Sequence, residues 1–285
     1  MKGWSVFPIL VLALGLVAAA PAAAQDNPDY VPDGVEASAD GKKPGWHPLL
    51  KASFTLAFND NQNVVGVDEG SSYNTGLIIN GGLDFLSEGG HLWANSLKWQ
   101  LNYTQTPVID KFYKSLDQFD FNSAYLYKLP SIKWLGPYAS FVLKTSIFPG
   151  DAVKAVDTDV TRVGLNGVEA TEVGVKAKSN IRLTDAFAPA TLRESAGVFA
   201  DILTRKSIEL QARAGAGLWE TYGQEGYSVA LDEPGVLKLQ NMQDSIQAGG
   251  EVRLHGKSVI QTHLNWGLKA HVMYPFYTHA ATDLE

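Results

Sequence analysis

Hydrophobic and polar residues alternate along most of the chain. In residues 91–105, Trp93, Leu97, Trp99, Leu101 and Tyr103 share one parity, while Leu92, Ala94, Ser96, Lys98, Gln100, Asn102 and Thr104 share the other. A period of two predicts a β-strand with a bulky apolar face and a small or polar one. The same pattern recurs in residues 50–58, 73–85, 119–129, 138–147, 173–183, 208–218, 246–254 and 260–272, and residues 191–200 are ambiguous. About nine or ten strands result, many of 10–15 residues, against a usual length of roughly 5–6. Residues 87–90 (SEGG) and 255–257 (HGK) read as hairpin turns with glycine available for positive φ. Residues 59–70 and 150–172 read as long acidic loops. No helical period and no fixed repeat is present.

The first 24 residues break the pattern. Lys2, an apolar run over residues 6–20 and an Ala-Pro-Ala-Ala-Ala end make a secretory signal peptide, with cleavage expected after Ala24. Residues 25–46 are polar and proline-bearing, which predicts a flexible leader. Residues 47–285 then form one β domain. Without the signal the chain carries 22 basic and 30 acidic residues, a net of about −8, which argues against a nucleic-acid partner. There is no cysteine, hence neither disulfide frame nor thiol chemistry.

Lipid and protein core favour the same alternation, so other features must separate them. The strands are long enough to cross a bilayer at a tilt, which takes about 9–11 residues. Aromatic residues gather near strand ends, as in interface girdles: Trp46, Trp93, Tyr103, Tyr125, Trp219, Trp266 and Tyr274. Short connectors alternate with long loops. These features predict an antiparallel up-and-down transmembrane β-barrel of about 10–12 strands in the outer membrane of a Gram-negative-type envelope, with lipid as its surroundings. The alternative is a soluble periplasmic β-sandwich or barrel that binds a ligand.

The segments NTGLIINGGLDF, WANSLKWQLNYTQ and LKTSIFPG, within residues 46–150, resemble an uncharacterised bacterial family of outer-membrane-type β-barrels, a domain of unknown function. The resemblance implies location and fold, and no activity or site residues. One departure is the end of the chain. Outer-membrane barrels usually finish on a strand with a terminal aromatic, whereas this chain ends ATDLE. Either Met273-Tyr-Pro-Phe-Tyr277 closes the last strand, or the sequence lacks its final strands.

Catalytic motifs are absent: no Gly-x-Ser-x-Gly, His-Glu-x-x-His, Walker loop or Gly-x-Gly-x-x-Gly occurs. His255, His263, His271 and His279 recur every eight residues, which keeps them on one strand face but puts neighbours about 26 Å apart, too far to share a metal. Asp157-Thr-Asp159 begins like a calcium loop but lacks the third ligand and the glycine. No enzyme activity, cofactor or metal is therefore expected.

The remaining signal is a charge split. On the polar parity stand Lys51, Lys98, Lys128, Lys144, Lys176, Lys178, Arg182, Arg213, Arg253 and Lys269, against Asp84, Asp120, Glu209 and Glu251. If that face lines a lumen, Lys51, Lys98, Asn122, Lys144, Lys178, Arg213, Arg253, His263 and Lys269 point into it. Basic rings favour small anionic solutes. The expected function is passive solute passage, leaning to anions, or envelope structure with a filled interior.

Overall fold

The computed structural model describes residues 43–62, 65–66, 69–205, 208–260 and 264–280. They form strands and connections, with no helix among the described residues. In chain order the strands are β1 Gly45–Asn61, β2 Gly70–Leu86, β3 His91–Gln105, β4 Tyr113–Tyr127, β5 Leu135–Thr145, β6 Gly150–Val153, β7 Thr158–Val163, β8 Glu169–Val175, β9 Asn180–Thr184, β10 Ala190–Arg205, β11 Ile208–Tyr222, β12 Tyr227–Glu233, β13 Val236–Asn241, β14 Ser245–Ile260 and β15 Leu264–Ala280. The first strand thus begins inside the expected leader, and the ambiguous stretch is strand β10.

Nine strands make one antiparallel sheet in the order β1-β2-β3-β4-β5-β10-β11-β14-β15. Up-and-down order follows from the tight connections. In the β2–β3 turn Ser87 Oγ accepts the amides of Gly89 and His91, and Gly90 stands at φ 84°. A Cβ at Gly90 would sit 2.8 Å from the Lys128 carbonyl oxygen, so only glycine fits. Among the described residues this sheet has nine strands, against the about 10–12 expected. Among the described residues β1 pairs only with β2 and β15 only with β14, so no ladder joins the first strand to the last.

Register carries the apolar parity across all nine strands. One transverse row reads Phe54, Leu77, Leu101 on β1–β3; another reads Leu97, Phe121, Leu143, Leu192 on β3, β4, β5 and β10. Val198, Ala214, Val252 and Val272 continue the face through β15. Among the described residues no second layer covers it. Phe54 is 70% exposed and Tyr274 78%. The buried residues lie on the opposite, polar face: Asp120, Asn122, Arg213, Gln211 and Glu251, with Leu92, Leu126, Tyr138 and Phe199. The sheet therefore curls toward its polar side, inverting the usual arrangement of apolar inside and polar outside.

The other six strands come from two insertions at the same end, residues 146–189 between β5 and β10 and residues 223–244 between β11 and β14. Strands β12-β13-β7-β8 form a four-stranded sheet, and β6-β9 form a pair. The insertions are stitched together by the parallel β13–β7 ladder. Val160, Ile181, Leu237 and Leu239 are their shared core. Residues 173–183 are accordingly not one long strand. They are the end of β8, a turn and β9, and Lys176, Lys178 and Arg182 leave the main sheet with them.

Candidate functional site

Alternation puts every second side chain of the nine long strands on the polar face, and register decides which of them meet. One row runs Lys51, Asn80, Lys98, Asp120, Lys144, Thr191, Thr221 across β1, β2, β3, β4, β5, β10 and β11. Asp120 is 2% exposed, and its Oδ2 accepts the Gln118 amide at 2.7 Å. Its Oδ1 is buried without a hydrogen-bond partner. Lys98 and Lys144 flank it on the neighbouring strands, and neither has an ion-pair partner among the described residues. Asn122 lies one row away, in register with Ser96 and Val142.

A second row runs Leu92, Leu126, Tyr138, Gly197, Gly215, Glu251. Tyr138 lies over the two glycines and donates its hydroxyl to Glu251 Oε1 at 3.0 Å, three strands away in the sheet. The glycines are required: a Cβ on Gly197 would lie 2.2 Å from the Ala214 carbonyl oxygen, and one on Gly215 2.2 Å from that of Ala196. Glu251 Oε2 also meets Arg253 Nη2 at 3.1 Å and His271 Nε2 at 3.4 Å. Arg213 sits over the Tyr138 ring at 5.5 Å and donates to Gln211 Oε1. Arg193 covers Trp219 at 4.5 Å, and Lys128 pairs with Asp201 at 2.8 Å. Toward the short-turn end Leu92, Ala124, Leu126, Tyr138 and Phe199 pack as an apolar cluster on this same face.

Lys51, Lys98, Asn122, Lys144, Arg213, Arg253 and Lys269 thus share the polar face by register. Lys178 does not. It is in the β8–β9 turn at φ 63° and pairs with Asp110 at 2.9 Å. His263 lies outside the described residues, as do the side chains of Leu264 and Trp266. Of the girdle candidates, Trp46 packs on Phe85 (4.9 Å) and Trp93 (6.0 Å) at the short-turn end of the apolar face. Tyr125, in register with Trp93, belongs to the same face, as do Tyr103 and Tyr274. Trp219 departs from the expectation. It pairs with Arg193 and Gln247 on the polar face, where a guanidinium covers its ring.

The charge split changes membership but keeps its sign. Lys176, Lys178 and Arg182 leave, while Arg193, from the ambiguous stretch, and Asp201, just beyond it, join through β10. Lys51, Lys98, Lys128, Lys144, Arg193, Arg213, Arg253 and Lys269 then oppose Asp84, Asp120, Asp201, Glu209 and Glu251 on the nine-stranded sheet. The acids of the Asp157-Thr-Asp159 stretch bond within the protein itself: Asp157 accepts from Lys176 Nζ and the Ala177 amide, and Asp159 from the Gly174 amide. Among the described residues no group of three His, Cys, Asp or Glu could hold a metal. No family model matches this chain, and no curated protein matches it.

Proposed function

We propose that this chain is a non-enzymatic outer-membrane β-barrel protein, of the uncharacterised family its sequence resembles, that serves passive solute passage with a preference for anions. The observation that carries the reading is the inverted sheet. A continuous apolar face stands exposed across nine strands, while charged and amide side chains fill the concave side. In water such a face far exceeds the few hundred Å² of contiguous apolar surface a monomer normally shows; in a bilayer it is what the solvent requires. Short turns at one end and the two large insertions at the other fit the asymmetry of such proteins. The cationic excess on the concave face, with Lys98 and Lys144 free of ion pairs among the described residues, supports the anion preference.

The apolar cluster around Leu126 and Phe199 favours a second form of the reading, an envelope protein whose interior is closed at the short-turn end. Two measurements separate these readings. Export, membrane fractionation and heat-modifiable gel migration test the bilayer; a protein that stays soluble and migrates identically with and without boiling is a periplasmic sheet instead. Reversal potentials of the purified protein in planar bilayers test the passage. Anion preference supports it, absence of conductance supports the closed interior, and cation preference refutes the charge argument.

A further inference from the structure

The apolar face is not uniform. Between Tyr125 on β4 and Tyr274 on β15, one transverse row is built only of Ala139, Ala196, Ala216 and Gly250. The row opens a groove of about 640 Å³ whose walls include Tyr125, Phe141, Leu218 and Phe276. A Cβ built on Gly250 meets nothing within 4 Å, so its floor is open there. The four small residues span roughly 14 Å at 4.8 Å per strand, and same-face rows are about 6.7 Å apart. That is a slot for one extended hydrocarbon chain, too narrow for a helix of about 10 Å diameter.

The groove holds a charge. Glu194 lines it, exposed, in register with Phe141 and Leu218. The neighbouring carboxylate of Asp117 on this face is occupied by Lys114 and the Trp99 indole. Glu194 has no hydrogen bond or ion pair among the described residues. A carboxylate beside an apolar slot fits an occupant with an apolar tail and a cationic head. A second copy does not supply it. Besides Lys114, the only lysine or arginine on this face among the described residues is Arg205, eleven residues along the same strand, about 36 Å away. Copies inserted in the same orientation keep that offset.

We infer that this groove binds one aminophospholipid, an acyl chain lying in the alanine–glycine row and the head-group ammonium donating to Glu194. The inference rests on the membrane reading. The test uses full-length protein reconstituted in vesicles of phosphatidylethanolamine and phosphatidylglycerol with identical chains, then extracted in mild detergent and assayed for retained lipid by native mass spectrometry. Phosphatidylethanolamine is expected to be retained in preference. Glu194→Gln should lower that retention about tenfold, as the loss of a charge-assisted hydrogen bond implies. Ala216→Phe, which fills the slot on a face open to lipid, should abolish it with Glu194 intact. Heat-modifiable migration of both variants shows that they are folded. Equal retention of the two lipids, or unchanged retention in both folded variants, overturns the inference and leaves the membrane reading standing. A chain that never enters vesicles overturns both.

Discussion

At the scale of single residues, the Tyr138–Glu251 bond shows why the polar face needs both charge and glycine. Glu251 has a side chain with 0% exposure and is met by the Tyr138 hydroxyl, the Arg253 guanidinium and the His271 ring. Replacing Tyr138 by Phe leaves one carboxylate oxygen short of a donor, at a cost of about 1–3 kcal/mol, read as a lower urea midpoint of the folded protein in detergent. Gly197→Val should cost more, upward of about 3 kcal/mol, because its Cβ meets the Ala214 carbonyl and the Gly215 Cα at 2.2 and 2.5 Å and backbone cannot yield as a side chain can. Alternation places Tyr138 and Gly215 on the polar parity and leaves Gly197 in the ambiguous stretch; the row they share is a fact of register.

At the scale of elements, the two insertions are held by surface polar contacts as well as their small core. Asp157, just before β7, pairs with Lys176 in the β8–β9 turn, and the hydrogen bond from Lys176 holds the Asp157 carboxyl below the ordinary carboxylate range. The same bond raises the Lys176 ammonium above its ordinary value. A depressed carboxyl contributes stability above its unfolded value, near 3.9, that is lost as pH falls through the folded one. A raised ammonium contributes below about 10.4 and loses that contribution as pH rises through its folded value. Amide exchange in residues 176–179, corrected for the intrinsic rate, should therefore stay level between pH 5 and 9 and accelerate only once the pH falls below the ordinary carboxylate range. Acceleration near neutrality would show that another group controls the turn. Lys178–Asp110 and Lys111–Asn180 join the first insertion to the β3–β4 loop by further polar contacts.

At the scale of the whole molecule, the sheet presents its apolar side outward and has two edges, β1 and β15. In hydrocarbon an unpaired backbone group costs several kcal/mol, so the membrane reading requires those edges to be satisfied there. Amides of β1 and β15 should exchange as slowly in vesicles as those of central β3, and faster in detergent-free solution. Rapid exchange of both edges in vesicles would place them in water and count against the bilayer. For the concave side, Lys98→Glu with Lys144→Glu should lower anion selectivity without loss of folding, since both lysines lack ion pairs among the described residues and acidic Asp120 remains bonded to Gln118. Added repulsion from Asp120 is the main strain on that variant.

Alternation alone determined that this chain is all-β, that its long strands have two unlike faces, and which residues of most strands share each face. That is legible because side chains on a pleated strand alternate with period two whatever surrounds it. It also determined the cationic bias of the polar face, for Lys51, Lys98, Lys144, Arg213 and Arg253. Parity is local, however, and a neighbour across a ladder can be a hundred residues away. Only the tertiary structure decided that residues 173–183 bend into a turn and carry Lys178 to Asp110, that Trp219 lies under Arg193 on the polar face, and that Arg193 and Asp201 join that face through β10. It likewise decided that two insertions merge through a parallel ladder, and that Tyr138 reaches Glu251 over Gly197 and Gly215. Each of these depends on which strand stands beside which, and strand order is set by the free energy of the whole sheet, not by any segment of it.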